Sequence, residues 1–379
     1  MRDRFQVMRG IACMMVLFNH LVGLLGANVA EQQPGWLRPL ITPSGFPWVW
    51  MFLVLSGFLL TKGFATKRYA LSPNGVTNFY RARAKRLLPM MWFAGVLWLT
   101  LFGLGLWPAA LPGFDWWREL NVAAAMPWAP YFASTQSIAS MNSPVWSAVI
   151  EVHFSIGLPL LLLSQRRLHW IALALAAWAV WMVTLAVRQP PIFPMIYGAH
   201  LYNVGFFLAG AYIALAPKPE IVDRAPWWAL VVLTVVSVIA LEYVCEIGVD
   251  FALAVSPMPM LLVWAVLVWK ADSSYQAPTA NTIKEIATRS IGPIAMLETL
   301  GMMSYSIYLL HKPLGYLFTE RSGLLEQVHG LGSLALATAV IVACIVPLIA
   351  AVFVAIERGA ALRLLGLPSA TTRKCTPAA

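Results

Sequence analysis

The segment "RGIACMMVLFNHL", residues 9–21, decides the fold class, because it is the start of a long apolar stretch that nevertheless carries Arg9 and His20. Such a stretch is typical of a membrane-spanning helix. A charged side chain near the centre of one costs roughly 2.5 to 3.5 kcal/mol on insertion scales. Ionisable groups therefore persist in membrane helices mainly where they are paired or take part in function.

The composition extends this interpretation to the whole chain. Of the 379 residues, 60% are hydrophobic and 11% are charged, and 17 are tryptophan. A bilayer core requires about 20 apolar residues per helix, and the chain contains stretches of that kind throughout. The sequence therefore predicts an all-α, polytopic transmembrane helix bundle with ten spans, near residues 7–27, 47–65, 87–107, 144–163, 168–187, 200–216, 225–244, 251–269, 296–316 and 332–356.

The distribution of basic residues predicts the orientation of this bundle. With the N-terminus in the cytoplasm, most of the 26 lysines and arginines fall on the cytoplasmic side, as the positive-inside rule requires. We therefore predict a multi-pass inner-membrane protein with both termini inside. Residues 1–357 would form the bundle, with an uncleaved first helix, and residues 358–379 a short basic cytoplasmic tail.

The net charge of +10 is explained by the same asymmetry beside an anionic leaflet, so nucleic acid is not expected as a partner. The four cysteines are scattered and form no C-x-x-C pair. We therefore predict neither a disulfide framework nor a metal site. The sequence does not indicate an oligomeric state.

Arg9 and His20 are predicted to lie on one helix face. Their separation of eleven residues is close to three turns, or about 16 Å along the axis. One interpretation is an interfacial arginine that reaches toward water and a core histidine bonded to a backbone carbonyl. The other is a polar stripe that faces the bundle and takes part in function.

Ser56 and Gly57 interrupt the second apolar stretch. Small residues allow two membrane helices to approach closely, which is the simpler explanation. A hydroxyl beside a glycine also leaves room for a narrow ligand chain. Both interpretations remain open from the sequence.

A basic cluster at residues 81–86 precedes Pro89 in a predicted inner loop that spans residues 66–86. Arg83 and Arg86 share a face if this segment is helical. Retention of positive charge inside would explain them without a ligand. Two arginines at R-x-x-R spacing also form a bidentate clamp for phosphate groups, which favours an anionic cytosolic cofactor.

Two further spans carry polar stripes. Ser147, Glu151 and Ser155 follow at i, i+4 and i+8, just after Trp146. A carboxylate at this depth requires a histidine, an arginine or a proton as its partner. The second stripe occurs in the ninth predicted span and comprises Ser304, Tyr308 and His311.

These motifs together resemble the membrane acyltransferase-3 family of integral-membrane O-acyltransferases, in its stand-alone form. The resemblance covers nearly the whole chain. It rests on R-x10-H at 9–20, S-G-F at 56–58, R-x-x-R-L-L-P at 83–89, P-x-W-S-x-x-x-E-x-x-F at 144–154 and S-Y-S-I-Y-L-x-H at 304–311.

The resemblance implies a ten-helix bundle, a cytosolic acyl-CoA donor, commonly acetyl-CoA, and an acceptor hydroxyl. It implies a catalytic role for His20 and donor-related roles for Arg9, Arg83 and Arg86. A neutral imidazole can take a proton from a hydroxyl near neutral pH. Glu151 is expected to orient that imidazole, and Ser56 to lie near the donor.

The expected acceptor is a hydroxyl of a cell-surface saccharide, and a secreted metabolite or a lipid hydroxyl is the alternative. A proton-coupled transporter is the rival from another class, since intramembrane His, Glu and Arg also mark ion pathways. The sequence shows no inverted repeat, which disfavours the transporter. The remaining candidate site residues are Trp146, Ser147, Ser304, Tyr308 and His311.

Overall fold

A computed structural model describes residues 3–34, 37–41, 44–104, 106, 145–188, 200–247, 257–272 and 292–357. Every regular element in these residues is helical, and they include no β-strand. The predicted all-α class is therefore confirmed for the described part of the chain. The predicted tail at 358–379 and the tryptophan-rich stretch at 108–143 lie outside it.

The helices follow the apolar stretches of the sequence. In chain order they are α1 (Arg4–Glu31), α2 (Arg38–Ile41), α3 (Phe46–Ala65), α4 (Pro73–Gly103), α5 (Val145–Leu162), α6 (Arg167–Arg188), α7 (His200–Leu215), α8 (Glu220–Arg224), α9 (Trp227–Ile247), α10 (Pro257–Asp272), α11 (Pro293–Met302), α12 (Ser304–Ser322) and α13 (Leu331–Val352). A 3₁₀ turn (Leu324–Gln327) precedes α13 and a π-helical turn (Phe353–Glu357) follows it.

Four segments of these helices are long and apolar enough to cross a membrane: Arg4–Gly26, Phe46–Ala65, Arg167–Thr184 and Leu331–Glu357. Three further apolar helices in the described residues are shorter. Large apolar side chains on α6 and α13 are exposed, as at Val180 and Leu336, each with 67% of its surface accessible. Exposed apolar surface of this kind suits contact with lipid, so the protein is a membrane protein.

The basic segment before Pro89 differs from its prediction as a loop. Helix α4 begins at Pro73, so Arg83 and Arg86 lie on the same continuous helix as the third predicted span. Ser72 precedes the first turn, and its hydroxyl accepts the backbone N–H of Gly75 at 3.3 Å. The segment is helical because a cap residue and a proline at the first position start it, and Ala, Arg, Lys and Leu favour its continuation.

The ninth predicted span is also different, because it is divided at Met303. Helix α11 ends at Met302, and α12 begins at Ser304. Met303 has φ −88° and ψ 1°, outside the α-helical values. The break separates α11, which packs on α1, from α12, which carries Tyr308 and His311 and contacts both α1 and α13.

Close helix contacts depend on glycine. Helix α3 packs on α7, where a Cβ atom at Gly57 would overlap the carbonyl oxygen of Phe207. In the same interface, a Cβ at Gly210 would overlap the carbonyl oxygen of Val54. The close-packing interpretation of Gly57 is therefore correct.

Gly210→Ala is expected to destabilise the protein by about 1 to 3 kcal/mol. The added methyl group would overlap backbone atoms, which cannot move aside as a flexible side chain can. Thermal unfolding in detergent measures the effect. Gly157→Ala is the matched control, since no heavy atom lies within 4 Å of a Cβ placed there in α5. A Gly210→Ala protein as stable as the Gly157→Ala protein would show that α3 and α7 can separate freely.

Candidate functional site

The predicted site residues surround two cavities that share helix α1. The arginine cavity, of about 40 Å³, is lined by Arg9, Phe52, Ser56, Ser147, Ala148, Glu151, Ser304, Tyr305 and Tyr308. The histidine cavity, of about 340 Å³, is lined by Asn19, His20, Leu21, Gly23, Leu24, Lys312, Gly315 and Tyr316. The arginine and the histidine of the opening segment therefore belong to different cavities.

Glu151 connects three helices beside the arginine cavity. Its Oε1 accepts a hydrogen bond from Arg83 Nη2 at 2.5 Å and one from the Ser56 hydroxyl at 2.9 Å. The side chains of Arg83 and Glu151 are 12% and 19% exposed, so this ion pair is largely shielded from water. Helices α3, α4 and α5 thus meet at one carboxylate.

These contacts correct the expectation that Glu151 orients His20. In the described residues, the hydrogen-bond partners of the Glu151 carboxylate are Arg83 and Ser56. The partners of the His20 ring are another imidazole, that of His311, and the backbone oxygen of Val16. An arginine competes successfully for a buried carboxylate because its fixed charge and planar group suit a hydrogen-bonded ion pair. Arg83 is accordingly paired in this structure, and a phosphate group bound there would share it with Glu151.

Arg9 is the cation that lines the arginine cavity. Among the described residues, no side chain lies within hydrogen-bonding distance of its guanidinium. It interacts electrostatically with two carboxylates, Glu151 and Glu357, and with two cations, Arg83 and Arg86. Asp3 is a further carboxylate within electrostatic reach of Arg9, so in the described residues the three arginines are matched by as many carboxylates. Arg86 is exposed on α4 and does not line the cavity.

The two polar stripes meet across the arginine cavity. The hydroxyls of Ser147 on α5 and Tyr308 on α12 are 2.6 Å apart. Ser304 lines the same cavity. Ser155, the third member of the α5 stripe, instead donates to the backbone oxygen of Glu151 at 2.7 Å. It lies in an apolar groove beside Arg83.

His20 and His311 form a direct pair between α1 and α12. Nδ1 of His20 lies 2.8 Å from Nε2 of His311, and the ring centroids are 4.9 Å apart. Nδ1 of His311 lies 2.9 Å from the backbone oxygen of Ile307. The Tyr308 ring lies 6.2 Å from the His311 ring, so α12 connects the two cavities.

Several residues of the histidine cavity were not predicted as site residues. Lys312 and Tyr316 line it, and the Lys312 ammonium lies 5.8 Å from the centre of the Tyr316 ring. A sequence signal for them exists, because Tyr308, Lys312 and Tyr316 follow one another at spacings of four. Asn19 adjoins His20 in the opening segment.

Two other expectations concern Trp146 and metal ions. The side chain of Trp146 lies outside the described residues, so its expected role stays a prediction. Within the described ranges, no group of three or more His, Cys, Asp or Glu side chains is arranged to hold a metal ion.

Comparisons with known proteins show the family to which the chain belongs. The chain is 32% identical to "Acyltransferase MdmB" from Streptomyces mycarofaciens over 173 residues, which cover 43% of this chain and 41% of that protein. The match therefore spans about two fifths of that relative's length. No solved structure matches significantly. A family model described as an acyltransferase domain matches residues 2–356, nearly the whole chain, and the protein therefore belongs to the acyltransferase-3 family.

Proposed function

We propose that this protein is an integral-membrane O-acyltransferase that moves an acyl group, expected to be acetyl, from cytosolic acyl-CoA to a hydroxyl of a cell-surface saccharide. The observation that carries the proposal is the order of groups along α1. An arginine cavity and a histidine cavity follow one another on the same helix, about 16 Å apart by helical rise. The arginine cavity suits the anionic end of a long donor molecule, and the histidine cavity suits its reacting end.

The donor is expected at the arginine side. Coenzyme A carries a pyrophosphate and a ribose phosphate, which suit the guanidinium groups of Arg9, Arg83 and Arg86 as charge-assisted hydrogen-bond donors. The arginine cavity of about 40 Å³ has room for only a few water molecules. We therefore infer that donor binding opens the contact between α5 and α12 at the Ser147–Tyr308 hydrogen bond.

The reaction follows from a neutral imidazole at His20. Its free ring nitrogen takes the proton of the acceptor hydroxyl while that oxygen attacks the thioester carbonyl. The C–S bond then breaks, and the thiolate of coenzyme A takes the proton back from the imidazolium. The products are the O-acyl ester and the free thiol, and His20 is again neutral.

The acceptor is expected in the histidine cavity. Its volume of about 340 Å³ lies within the usual range of small-molecule sites. Asn19 and Lys312 provide hydrogen-bond donors there, and Tyr316 provides an aromatic face, which together suit a sugar ring. The same groups would also suit the hydroxyl of a secreted metabolite or a lipid, which remains the alternative acceptor.

The proposed membrane arrangement connects these cavities to two compartments. We propose ten spans in the inner membrane, with residues 1–357 as the bundle, residues 358–379 as a cytoplasmic tail, and both termini inside. The arginine cavity is then near the cytoplasm, where acyl-CoA is available. The histidine cavity is then nearer the outer surface.

Family membership favours group transfer over the rival proton-coupled transporter. Purified protein supplied with labelled acetyl-CoA and candidate saccharides should release free thiol and transfer the label to the acceptor. A transporter would do neither. Mass spectrometry of surface glycans from cells with and without the gene should then identify the acceptor, and unchanged glycans would direct the search to metabolites or lipids.

Arg9→Ala is expected to weaken binding of coenzyme A by about 1.5 to 3 kcal/mol, because charge-assisted hydrogen bonds to phosphate are lost. Arg86→Ala should have a similar effect, and lysine at either position should restore only part of the affinity. Calorimetric titration measures the affinity of each variant for coenzyme A. Arg81→Ala is the matched control, since this exposed arginine of the same cluster, unlike Arg86, is not among the charges that act on Arg9. Equal affinities for all these proteins would place the donor elsewhere.

A further inference from the structure

The pair of imidazoles beside the histidine cavity has a defined direction of hydrogen bonding. A backbone carbonyl oxygen can only accept a hydrogen bond. Because Nδ1 of His311 lies 2.9 Å from the Ile307 oxygen, this nitrogen must carry the proton. In a neutral His311, Nε2 is therefore an acceptor.

The same reasoning fixes the proton of His20. Nε2 of His311 accepts, so the nitrogen 2.8 Å away, Nδ1 of His20, must be the donor. A neutral imidazole carries one proton, which leaves Nε2 of His20 unprotonated. His20 lines the histidine cavity, and His311 is buried, with 1% of its surface exposed.

We propose that His311 is a positioning residue that holds the proton of His20 on Nδ1, so that Nε2 of His20 is the base for the acceptor hydroxyl. This inference rests on the proposed function and gives His311 the role that the sequence suggested for Glu151. The order of hydrogen bonds is Ile307 carbonyl, His311, His20 and acceptor hydroxyl.

The pair also provides a place for the positive charge that develops during transfer. When Nε2 of His20 takes the proton of the hydroxyl, its Nδ1 proton can shift toward Nε2 of His311. His311 can hold it because its own proton stays on Nδ1, which donates to the Ile307 carbonyl oxygen. The ammonium of Lys312 is the other charged group within electrostatic reach of His20.

Substitution of His311 separates this role from simple packing. Gln can place an acceptor oxygen at the position of Nε2 of His311, which faces His20. Asn can place a polar atom only at the position of Nδ1. Phe keeps the shape of the ring and neither polar atom. We expect His311→Asn and His311→Phe to lower turnover by about 10²-fold, and His311→Gln to retain more of it than either. A structural role predicts instead that turnover per folded protein stays unchanged in all three variants.

Thr319→Val is the matched control on the same helix. Thr319 is buried, and it donates to the backbone oxygen of Gly315 four residues earlier at 2.7 Å, much as His311 does to Ile307. We expect this variant to lose some thermal stability and no turnover. An equal loss of turnover in Thr319→Val and His311→Phe would overturn the proposal.

Nuclear magnetic resonance of isotope-labelled histidine tests the proton position without any activity. In the resting protein, His20 should carry its proton on Nδ1, and His311→Phe should weaken that preference, since only the Val16 carbonyl then accepts a hydrogen bond from the ring. A proton found on Nε2 of His20 in the wild type would refute the proposal. If the His20→Ala protein keeps full activity, the proposed reaction itself is wrong. If the His20→Ala protein is inactive and the His311→Phe protein is active, only the proposed role of His311 is wrong.

Discussion

His20→Ala is expected to abolish acyl transfer, with a loss of at least 10²-fold and up to about 10⁴-fold, the usual range for a general base. The imidazole is the group that would take the proton of the acceptor, and no other described residue of the histidine cavity is a comparable base at neutral pH. Lys312 is a cation, and Asn19 and Tyr316 do not accept protons readily. His20→Gln should not restore transfer, because an amide cannot take up the proton.

The measurement is single-turnover transfer of labelled acetyl by purified protein, normalised to folded protein. His169→Ala is the control, since this histidine is exposed on α6 and lies outside both cavities. Coenzyme A should still bind to the His20→Ala protein, because the arginine cavity keeps its charges. Retention of more than about a tenth of the wild-type rate would exclude His20 as the base.

Glu151→Leu is expected to lower the free energy of unfolding by about 3 to 5 kcal/mol, because it leaves the Arg83 guanidinium shielded from water without its counter-charge. The Ser56 hydroxyl loses its acceptor in the same variant. Arg83→Met alone should also destabilise, since the carboxylate is then unpaired. Denaturant or thermal unfolding in matched detergent measures both effects.

The double variant with Arg83→Met and Glu151→Leu provides the decisive comparison. Apolar residues of similar volume often replace a buried ion pair without a loss of stability, so the double variant should recover much of what Glu151→Leu loses. The double variant should bind coenzyme A more weakly than the wild type does, because Arg83 is absent. If the double variant is as unstable as the sum of the two single variants, the ion pair does not couple α4 to α5. If it binds coenzyme A normally, Arg83 does not contact the donor.

The class of fold and the groups available for chemistry follow from the amino-acid sequence alone. Apolar stretches of sufficient length predict membrane helices, because the bilayer leaves backbone groups no other hydrogen-bond partner. Helical spacing placed Ser147 with Glu151 on one face and Ser304 with Tyr308 on another. Both pairs line the arginine cavity. Local periodicity is sufficient for such statements, since a helix fixes which of its own residues share a face.

Which of these groups are partners depends on how the helices pack against one another. Glu151 pairs with Arg83, 68 residues earlier, and His20 pairs with His311, 291 residues later. Nothing local to either helix selects these partners, because each residue turns a helix by about 100° and packing decides which stripes meet. The break at Met303 had the same origin, since α11 is held on α1 where Gly301 meets the backbone of Gln6. Partner choice is thus a property of helix packing, which depends on residues far apart in the chain.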